Sequence, residues 1–184
     1  IVQPAPAIPE KTMKNKSVLV LSVAAAALFA GCATTPSGPS ASAQLMAKSG
    51  SNISGVVNFV EVGSSLRIEA KVAGLTPGEH GFHVHEVGDC SAPDATSAKG
   101  HFNPAGKTHG HHDSAEHHGG DMPNLVANAN GEASYRAELK DLTLSGPMGV
   151  LGRSVVVHAD PDDYKSQPAG NSGKRVACGV IAAR

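Results

Sequence analysis

A chain of 184 residues has room for one domain together with a tail or a targeting segment. Its formal net charge of −1 gives no reason to expect a nucleic-acid partner. Aromatic residues make up only 3% and Trp is absent, so the core must be mainly aliphatic, while 21 glycines and 12 prolines favour a turn-rich β protein over a helical bundle.

The N-terminal region is typical of an export signal. Residues 1–12 are interpreted as upstream sequence, and residues 13–31 as a signal peptide that starts at Met13. Two lysines lead into an apolar run over residues 18–30 that is too short for a comfortable membrane span. The sequence LFAGC, which ends at Cys32, is similar to a bacterial lipobox and predicts a membrane-anchored lipoprotein of the periplasm or cell envelope. Ordinary signal cleavage near the same position is the alternative.

The next segment separates this signal from the domain. Residues 32–44 are rich in Pro, Ser and Gly without periodicity and predict a flexible linker, so the domain is expected over residues 45–184. Cleavage before Cys32 would remove three lysines and one glutamate and change the formal charge from −1 to −3. Cys90 and Cys178 then remain and predict one disulfide in an oxidising compartment, with two free buried thiols as the alternative. The chain-entropy model gives that disulfide roughly 4 kcal/mol.

Alternation of apolar and polar residues predicts antiparallel β-strands along the domain. Apolar side chains occupy every second position in residues 65–72 and 134–140. No segment after the signal carries a sustained helical pattern, and short strands joined by Gly- and Pro-containing turns predict an all-β sandwich or closed barrel. Four more strands are predicted over residues 52–62, 79–87, 153–160 and 175–183.

Two long stretches without a strand pattern interrupt this order. They cover residues 88–126 and 161–174. Segments of this length in a compact domain are ordinarily functional or disordered. All ten histidines fall between His80 and His158, and the two stretches flank the strands that carry histidine, which favours a functional role.

The histidines on the predicted strands indicate a metal site. In the strand GFHVHE, Phe82 and Val84 would face the core, so His83 and His85 would face outward, and His158 has the same place on a later strand. A lone outward histidine is ordinarily a surface residue. The pair, together with a loop rich in His and Asp, instead predicts a copper or zinc site on the outer wall of the barrel.

Five motifs together resemble the copper/zinc superoxide dismutases. They are GFHVHE, GHFNP, HHGGD, VVVHADPDD and GKRVACGVI, which follow one another in the family's order between about residue 51 and residue 184. The resemblance implies an eight-stranded Greek-key β-barrel or sandwich with two long functional loops, an architecture these enzymes share with other sandwich proteins. It implies one copper and one zinc per subunit.

The activity implied by the resemblance is the dismutation of superoxide to oxygen and hydrogen peroxide. Copper would cycle between two oxidation states, and a structural zinc would share one histidine with it. The enzyme would protect the cell envelope from extracellular superoxide. A non-enzymatic metal-binding envelope protein with the same fold is the alternative. A homodimer is compatible with the family, whose bacterial members occur as monomers and as dimers.

The resemblance also implies roles for particular residues. His101 would bridge the two metals and be released from copper and protonated during turnover. Asp162 would link a copper histidine to a zinc histidine, Arg175 would guide and orient the anion, and Cys90 and Cys178 match the family's disulfide. The implied copper ligands are His83, His85, His101 and His158, and the implied zinc ligands are His101, His109, His118 and Asp121.

The remaining histidines fall outside these sets. His118 is preferred to His117 because the family's ligand lies three residues before the aspartate. His80 is predicted to form hydrogen bonds near a strand start. His111, His112 and His117 are interpreted as solvated loop residues, with help in acquiring scarce zinc or copper as the second hypothesis. Two lysines, Lys165 and Lys174, are candidates for secondary steering charges.

Overall fold

The computed structural model describes residues 38–184 together with residues 1, 3 and 4. The predicted start, signal peptide and lipidation site at Cys32 therefore lie outside the described residues. A 3₁₀ helix covers Thr96–Ala98, and among the described residues no helix is long and apolar enough to cross a membrane. The strands are β1 (Ser40–Ala47), β2 (Ser54–Val62), β3 (Ser65–Ala73), β4 (Gly78–His80), β5 (Phe82–His85), β6 (Leu125–Ala127), β7 (Glu132–Leu139), β8 (Ser154–His158), β9 (Arg175–Val180) and β10 (Ala182–Ala183).

Eight of these strands form one antiparallel sheet that curls into a half-barrel. The order is β5-β8-β9-β1-β2-β3-β7, with β10 paired to β1, while β4 and β6 form a separate ribbon. Strands β3 and β7 are neighbours although the histidine-rich loop separates them in sequence, and β1 likewise lies beside β9. This arrangement confirms the prediction of an all-β, eight-stranded fold.

The core is mainly aliphatic and is formed by alternate residues of the strands. Phe82 and Val84 are fully buried in it, so the neighbouring histidines of β5 face the other way. Burying each large apolar side chain contributes about 1.5–3 kcal/mol, so this alternation fixes which face of β5 carries the imidazoles. The same core takes Leu66, Ile68, Ala70 and Val72 from β3 and Val155 and Val157 from β8.

The N-terminal boundary differs from the prediction. Strand β1 begins at Ser40, inside the expected linker of residues 32–44, and pairs with both β2 and β9. Ala41 and Ala43 are fully buried in the core. The run SASA over residues 40–43 does alternate, but its apolar side chains are only methyl groups, so the sequence resembles a polar linker.

Backbone pairing docks the histidine-rich loop onto β5. Bridges join His83 to Asp121 and His85 to His101. The Val84 N–H donates to the Gly120 carbonyl at 2.9 Å, and a Cβ at Gly120 would overlap the Val84 carbonyl, so only glycine permits this approach. Each bridge places a loop residue directly beside a histidine of β5.

Candidate metal centre

Seven side chains that the sequence singled out as metal ligands converge in two groups. Within each group the potential ligand atoms lie within 4.8 Å of one another. All seven are buried, and one of them, His101, belongs to both groups. The first group is His83, His85, His101 and His158, and the second is His101, His109, His118 and Asp121.

The first group is built on the adjacent strands β5 and β8. The His158 N–H donates to the Gly81 carbonyl at 2.8 Å, which aligns His158 with the start of β5. His85 Nε2 and His158 Nε2 lie 3.4 Å apart. His85 Nδ1 is 2.9 Å from the Lys99 carbonyl, which can only accept, so Nδ1 carries the proton. His85 Nε2 therefore keeps its lone pair and directs it toward the group.

The second group is built on the loop between β5 and β6. His109 Nδ1 lies 3.0 Å from Asp121 Oδ2, and His118 Nδ1 lies 3.5 Å from Asp121 Oδ1. The backbone N–H groups of Gly110 and His118 donate to Asp121 Oδ2 at 3.1 and 2.8 Å. These bonds fix the carboxylate in the position where it meets the imidazoles.

His101 lies between the two groups. Its Nδ1 is 2.8 Å from Asp121 Oδ1 and 3.4 Å from His118 Nδ1. On the other side its ring stacks on His83, with 3.9 Å between the ring centroids. Its Nε2 is buried and has no hydrogen-bond partner among the described residues. One imidazole thus offers one nitrogen to each group.

The donor atoms fit the two metals that the sequence suggested. His83 Nδ1 and His101 Nε2 are both buried without a hydrogen-bond partner in the described part of the chain. Buried polar atoms are ordinarily paired, and converging imidazole nitrogens are satisfied by a metal ion. Four imidazoles suit copper, and three histidines with one aspartate suit tetrahedral zinc.

Burial keeps three histidines of the first group neutral. It lowers the pKa of His85 and of His158 well below the usual value, and the neighbouring imidazoles lower both further. Burial, followed by the neighbouring ring of His83, also lowers the pKa of His101 to about 4. Neutral imidazole is the form that binds metals, so these three rings are ready to bind at neutral pH.

The second group combines a cation and an anion. Burial lowers the pKa of His109, but hydrogen bonds to Asp121 and Asp162 outweigh it and raise the pKa to about 9. Burial raises the pKa of Asp121, but hydrogen bonds from three histidines hold it far below the usual range. Asp121 is therefore ionised, and metal binding there would release the proton of His109.

Asp162 connects the two groups without joining either. Its Oδ2 accepts a hydrogen bond from His83 Nε2 at 2.8 Å, and its Oδ1 accepts one from His109 Nε2 at 2.9 Å. Hydrogen bonds on the far nitrogens leave Nδ1 of both rings as the metal-facing atom. Asp162 thus links one histidine of each group through hydrogen bonds.

Asn124 is a supporting residue that sequence reasoning missed. Its Oδ1 accepts from the Asp162 N–H at 3.0 Å, and its Nδ2 donates to the Asp162 carbonyl at 3.1 Å. The Tyr164 hydroxyl accepts from the Asn124 N–H at 2.8 Å. A single Asn in a long loop carries no local pattern, so only the folded contacts reveal that it anchors the backbone of Asp162.

Arg175 lies beside the first group. It is opposite His158 in the pairing of β8 with β9, and its Nη1 donates to the Ala95 carbonyl at 2.8 Å. Burial lowers the pKa of Arg175, and the charge of Asp94 opposes that shift. The Arg175 charge contributes to the lowered pKa of His85 and of His158, which places it within electrostatic reach of both.

The predicted disulfide is present. Cys90 and Cys178 are bonded, with 5.7 Å between their Cα atoms and a sequence separation of 88 residues. Cys178 lies on β9, the strand that begins with Arg175, and Cys90 lies in the loop that supplies the Ala95 carbonyl. The bond therefore ties together the two segments that position the Arg175 side chain.

Comparison with known proteins decides the family. Residues 53–181 match the family model described as Copper/zinc superoxide dismutase (SODC). The chain belongs to the copper/zinc superoxide dismutase family. This is an oxidoreductase family that uses copper and zinc, in agreement with the donor sets of the two groups.

Relatives in this family cover most of the domain. The extracellular superoxide dismutase [Cu-Zn] of Brugia pahangi is 44% identical over 140 residues, which is 71% of this chain and 70% of that protein. Superoxide dismutase [Cu-Zn] 3 of Arabidopsis thaliana is 42% identical over 137 residues, or 71% of this chain and 83% of that one. The crystal structure of the clock protein EA4 superposes with a TM-score of 0.74 and 41% identity, covering 82% of this chain and 97% of its own.

The other histidines of the chain lie outside both groups. His80 contacts the carbonyls of His158 and Thr76 at 2.9 and 2.8 Å, as expected of a hydrogen-bonding residue. His117 Nδ1 lies 2.7 Å from the Ser114 carbonyl and its Nε2 lies 3.6 Å from Asp141 Oδ2, so its ring faces away from Asp121. Lys165 and Lys174 are exposed, and their steering role stays a prediction.

Proposed function

We propose that this protein dismutes superoxide to oxygen and hydrogen peroxide. Copper would be held by His83, His85, His101 and His158, and zinc by His101, His109, His118 and Asp121. The observation that carries the proposal is the pair of buried donor groups that share His101, within a chain of the copper/zinc superoxide dismutase family. The overall reaction converts two superoxide ions and two protons into one oxygen and one hydrogen peroxide.

Copper at the first group would supply a one-electron couple that accepts an electron from one superoxide and returns it to a second. His101 can hold a proton at Nε2, the nitrogen that faces the first group, and so provide a proton near the reduced oxygen. The second group has four protein donors and no open position, so its zinc would be structural. Asp162 would keep His83 and His109 oriented through their far nitrogens.

Arg175 is proposed to attract and orient the superoxide anion. The chain as a whole is slightly acidic, so attraction must be local rather than global. A cation beside a buried site focuses the field and raises association rates, an effect for which superoxide dismutases are a well-known case. The position of Arg175 opposite His158 in the pairing of β8 with β9 supports this role.

An activity assay on defined metal forms tests the proposal. The metal-free protein would be loaded with zinc alone or with copper and zinc, and superoxide decay followed by pulse radiolysis. Rapid, catalytic decay is expected only for the form with both metals, because zinc has no redox couple. Inactivity of that form would favour the alternative, a metal-binding protein that only shares the fold.

We further propose export and attachment to a membrane through a lipid on Cys32. The Cys90–Cys178 disulfide supports an oxidising compartment, and the Brugia pahangi relative is named an extracellular enzyme. Mass spectrometry of the native N-terminus should find a diacylated Cys32, and Cys32→Ser should move the protein from the membrane to the soluble fraction. An unmodified N-terminus in the wild-type protein would instead indicate ordinary signal cleavage.

Homodimer formation is a proposal as well. Val87, Leu151 and Val180 are exposed apolar residues. Their segments are neighbours, since Gly88 contacts Gly152 and the Gly152 N–H donates to the Ile181 carbonyl at 2.9 Å. Sedimentation equilibrium should show a dimer that Leu151→Asp dissociates. A monomeric wild-type protein at micromolar concentration would reject it.

A further inference from the structure

Three consecutive residues after His109 form a cluster that neither metal group uses. The potential ligand atoms of His111, His112 and Asp113 lie within 4.8 Å of one another. His112 Nε2 is 3.2 Å from Asp113 Oδ1, and His111 Nδ1 is 3.7 Å from Asp113 Oδ2. The two rings are adjacent, with 4.4 Å between their centroids.

We propose that His111, His112 and Asp113 form a third metal site, which takes a first-row divalent ion such as Zn²⁺. Two imidazoles and one carboxylate are a donor set suited to zinc and its neighbours in the row. Calcium and magnesium prefer sites made of oxygen atoms, so this set selects against them. The site is additional to the two groups of the proposed function.

The cluster is arranged before any ion arrives. The Ser114 N–H donates to the His111 carbonyl at 2.8 Å and closes a turn over the three residues. The ring of His111 packs edge-on against Tyr164, with 4.7 Å between centroids. A site whose side chains are already held loses less conformational entropy when the ion binds.

The atoms of the cluster are poorly satisfied without a cation. The Asp113 N–H makes only a long hydrogen bond of 3.3 Å to His111 Nδ1, so this nitrogen is unprotonated, and an ion would replace that bond. His111 Nδ1 and His112 Nε2 both face oxygens of the Asp113 carboxylate. The other nitrogen of His112, Nδ1, is buried and unpaired as far as the described residues extend. An ion between the three side chains would be bound by nitrogen and oxygen atoms that already face one another.

Solvent reaches this cluster, unlike the two buried groups. The side chains of His111, His112 and Asp113 are 38%, 20% and 79% exposed. Three protein donors leave coordination positions for water, so the bound ion should exchange readily. A cavity of about 450 Å³ adjoins His112 and is also lined by Asp121 of the second group.

A titration of the metal-loaded protein tests this site. After copper and zinc have filled the two buried groups, Zn²⁺ would be added in equilibrium dialysis, with total metal measured. Wild-type protein should take up one further equivalent with micromolar affinity. His111→Gln/His112→Gln should weaken that step by at least about tenfold, the least that even an outer-shell partner contributes to metal affinity. Asp113→Asn should weaken it as well.

Glu116→Gln is the matched control, because it removes an exposed carboxylate from the same loop but none from the cluster. Glu116→Gln should still bind the third equivalent of metal with unchanged affinity. In every variant, full occupancy of the two buried groups by copper and zinc shows that the fold is intact. No third equivalent in wild-type protein, or equal uptake by the double variant, would overturn the site. If copper and zinc do not bind to the two buried groups, the proposed function is wrong. The difference in Zn²⁺ uptake between the wild-type protein and the double variant still tests this cluster.

Discussion

At the scale of single residues, the Asp162 side chain orients a histidine in each metal group although it belongs to neither donor set. It holds the far nitrogens of His83 and His109 at 2.8 and 2.9 Å. Asp162→Asn keeps the size but replaces one acceptor by a donor, so one of the two histidines loses its orientation. Metal affinity should fall about 10- to 100-fold, the usual effect of losing such a partner.

Competition with a chelator measures this loss for each metal. Asp160→Asn is the matched control, because Asp160 is an exposed carboxylate on the same loop. The metal affinity of this variant should match that of the wild-type protein. Unchanged affinity in Asp162→Asn would show that Asn124 and the loop backbone orient the two histidines without the carboxylate.

Arg175 gives the second prediction at this scale. Arg175→Ala should leave the copper and zinc content intact but lower kcat/KM about tenfold or more, since local focusing of an anion raises association rates by that order. Inhibition by small anions should weaken in parallel. Arg136→Ala serves as control, because Arg136 is an exposed arginine on β7, at the other end of the strand order from β5. Loss of copper from Arg175→Ala would show that the guanidinium is structural.

Single residues were predictable where a motif fixed the spacing. His118 was preferred to His117 by its distance in sequence from Asp121, and the structure turns His117 toward Asp141 instead. Asn124 and Gly120 could not be predicted in the same way. Their roles depend on backbone groups that folding brings close. Asn124 lies in no motif, and the HHGGD motif around Gly120 does not specify which backbone the glycine approaches.

At the scale of elements, the strands with large apolar residues were predictable and the others were not. The alternation in β3 was clear because Leu, Ile and Val fill most of its buried positions, and β8 was marked by three consecutive valines. β1 was missed because alanine fills two of its three buried positions, and β6 because it has only three residues. Weak apolar contrast and short length both remove the periodic signal on which strand prediction depends.

The disulfide carries the prediction that belongs to this scale. It closes a loop with a sequence separation of 88 residues and ties β9 to the loop that contains Ala95. Replacing Cys90 and Cys178 by serine should lower the free energy of unfolding by roughly 4–5 kcal/mol in the chain-entropy model. Denaturant unfolding measures the change, with the oxidised and reduced wild-type protein as references. Equal midpoints for the oxidised protein and the double variant would contradict it.

At the scale of the whole molecule, the metal groups fasten two long loops to the sheet. β5 and β8 supply three of the histidines, and the loops supply the other ligands and Asp162. The loops contain little regular structure of their own, so their order depends on the contacts around the two groups. Metal binding is therefore expected to stabilise the folded domain and not only to equip it for catalysis.

Metal removal tests this coupling. Without metals, a ring nitrogen of His83 and one of His101 remain buried and unpaired within the described residues, which costs stability. An ion present at about 1,000 times its dissociation constant adds about 4 kcal/mol, and a domain of this size gains about 2–4 °C per kcal/mol. Chelation should thus lower Tm by roughly 10 °C in calorimetry. Zinc and copper should restore it and magnesium should not, because the donors are mostly nitrogen. An unchanged Tm after metal analysis has verified complete removal would show that the sheet and the disulfide hold the loops unaided.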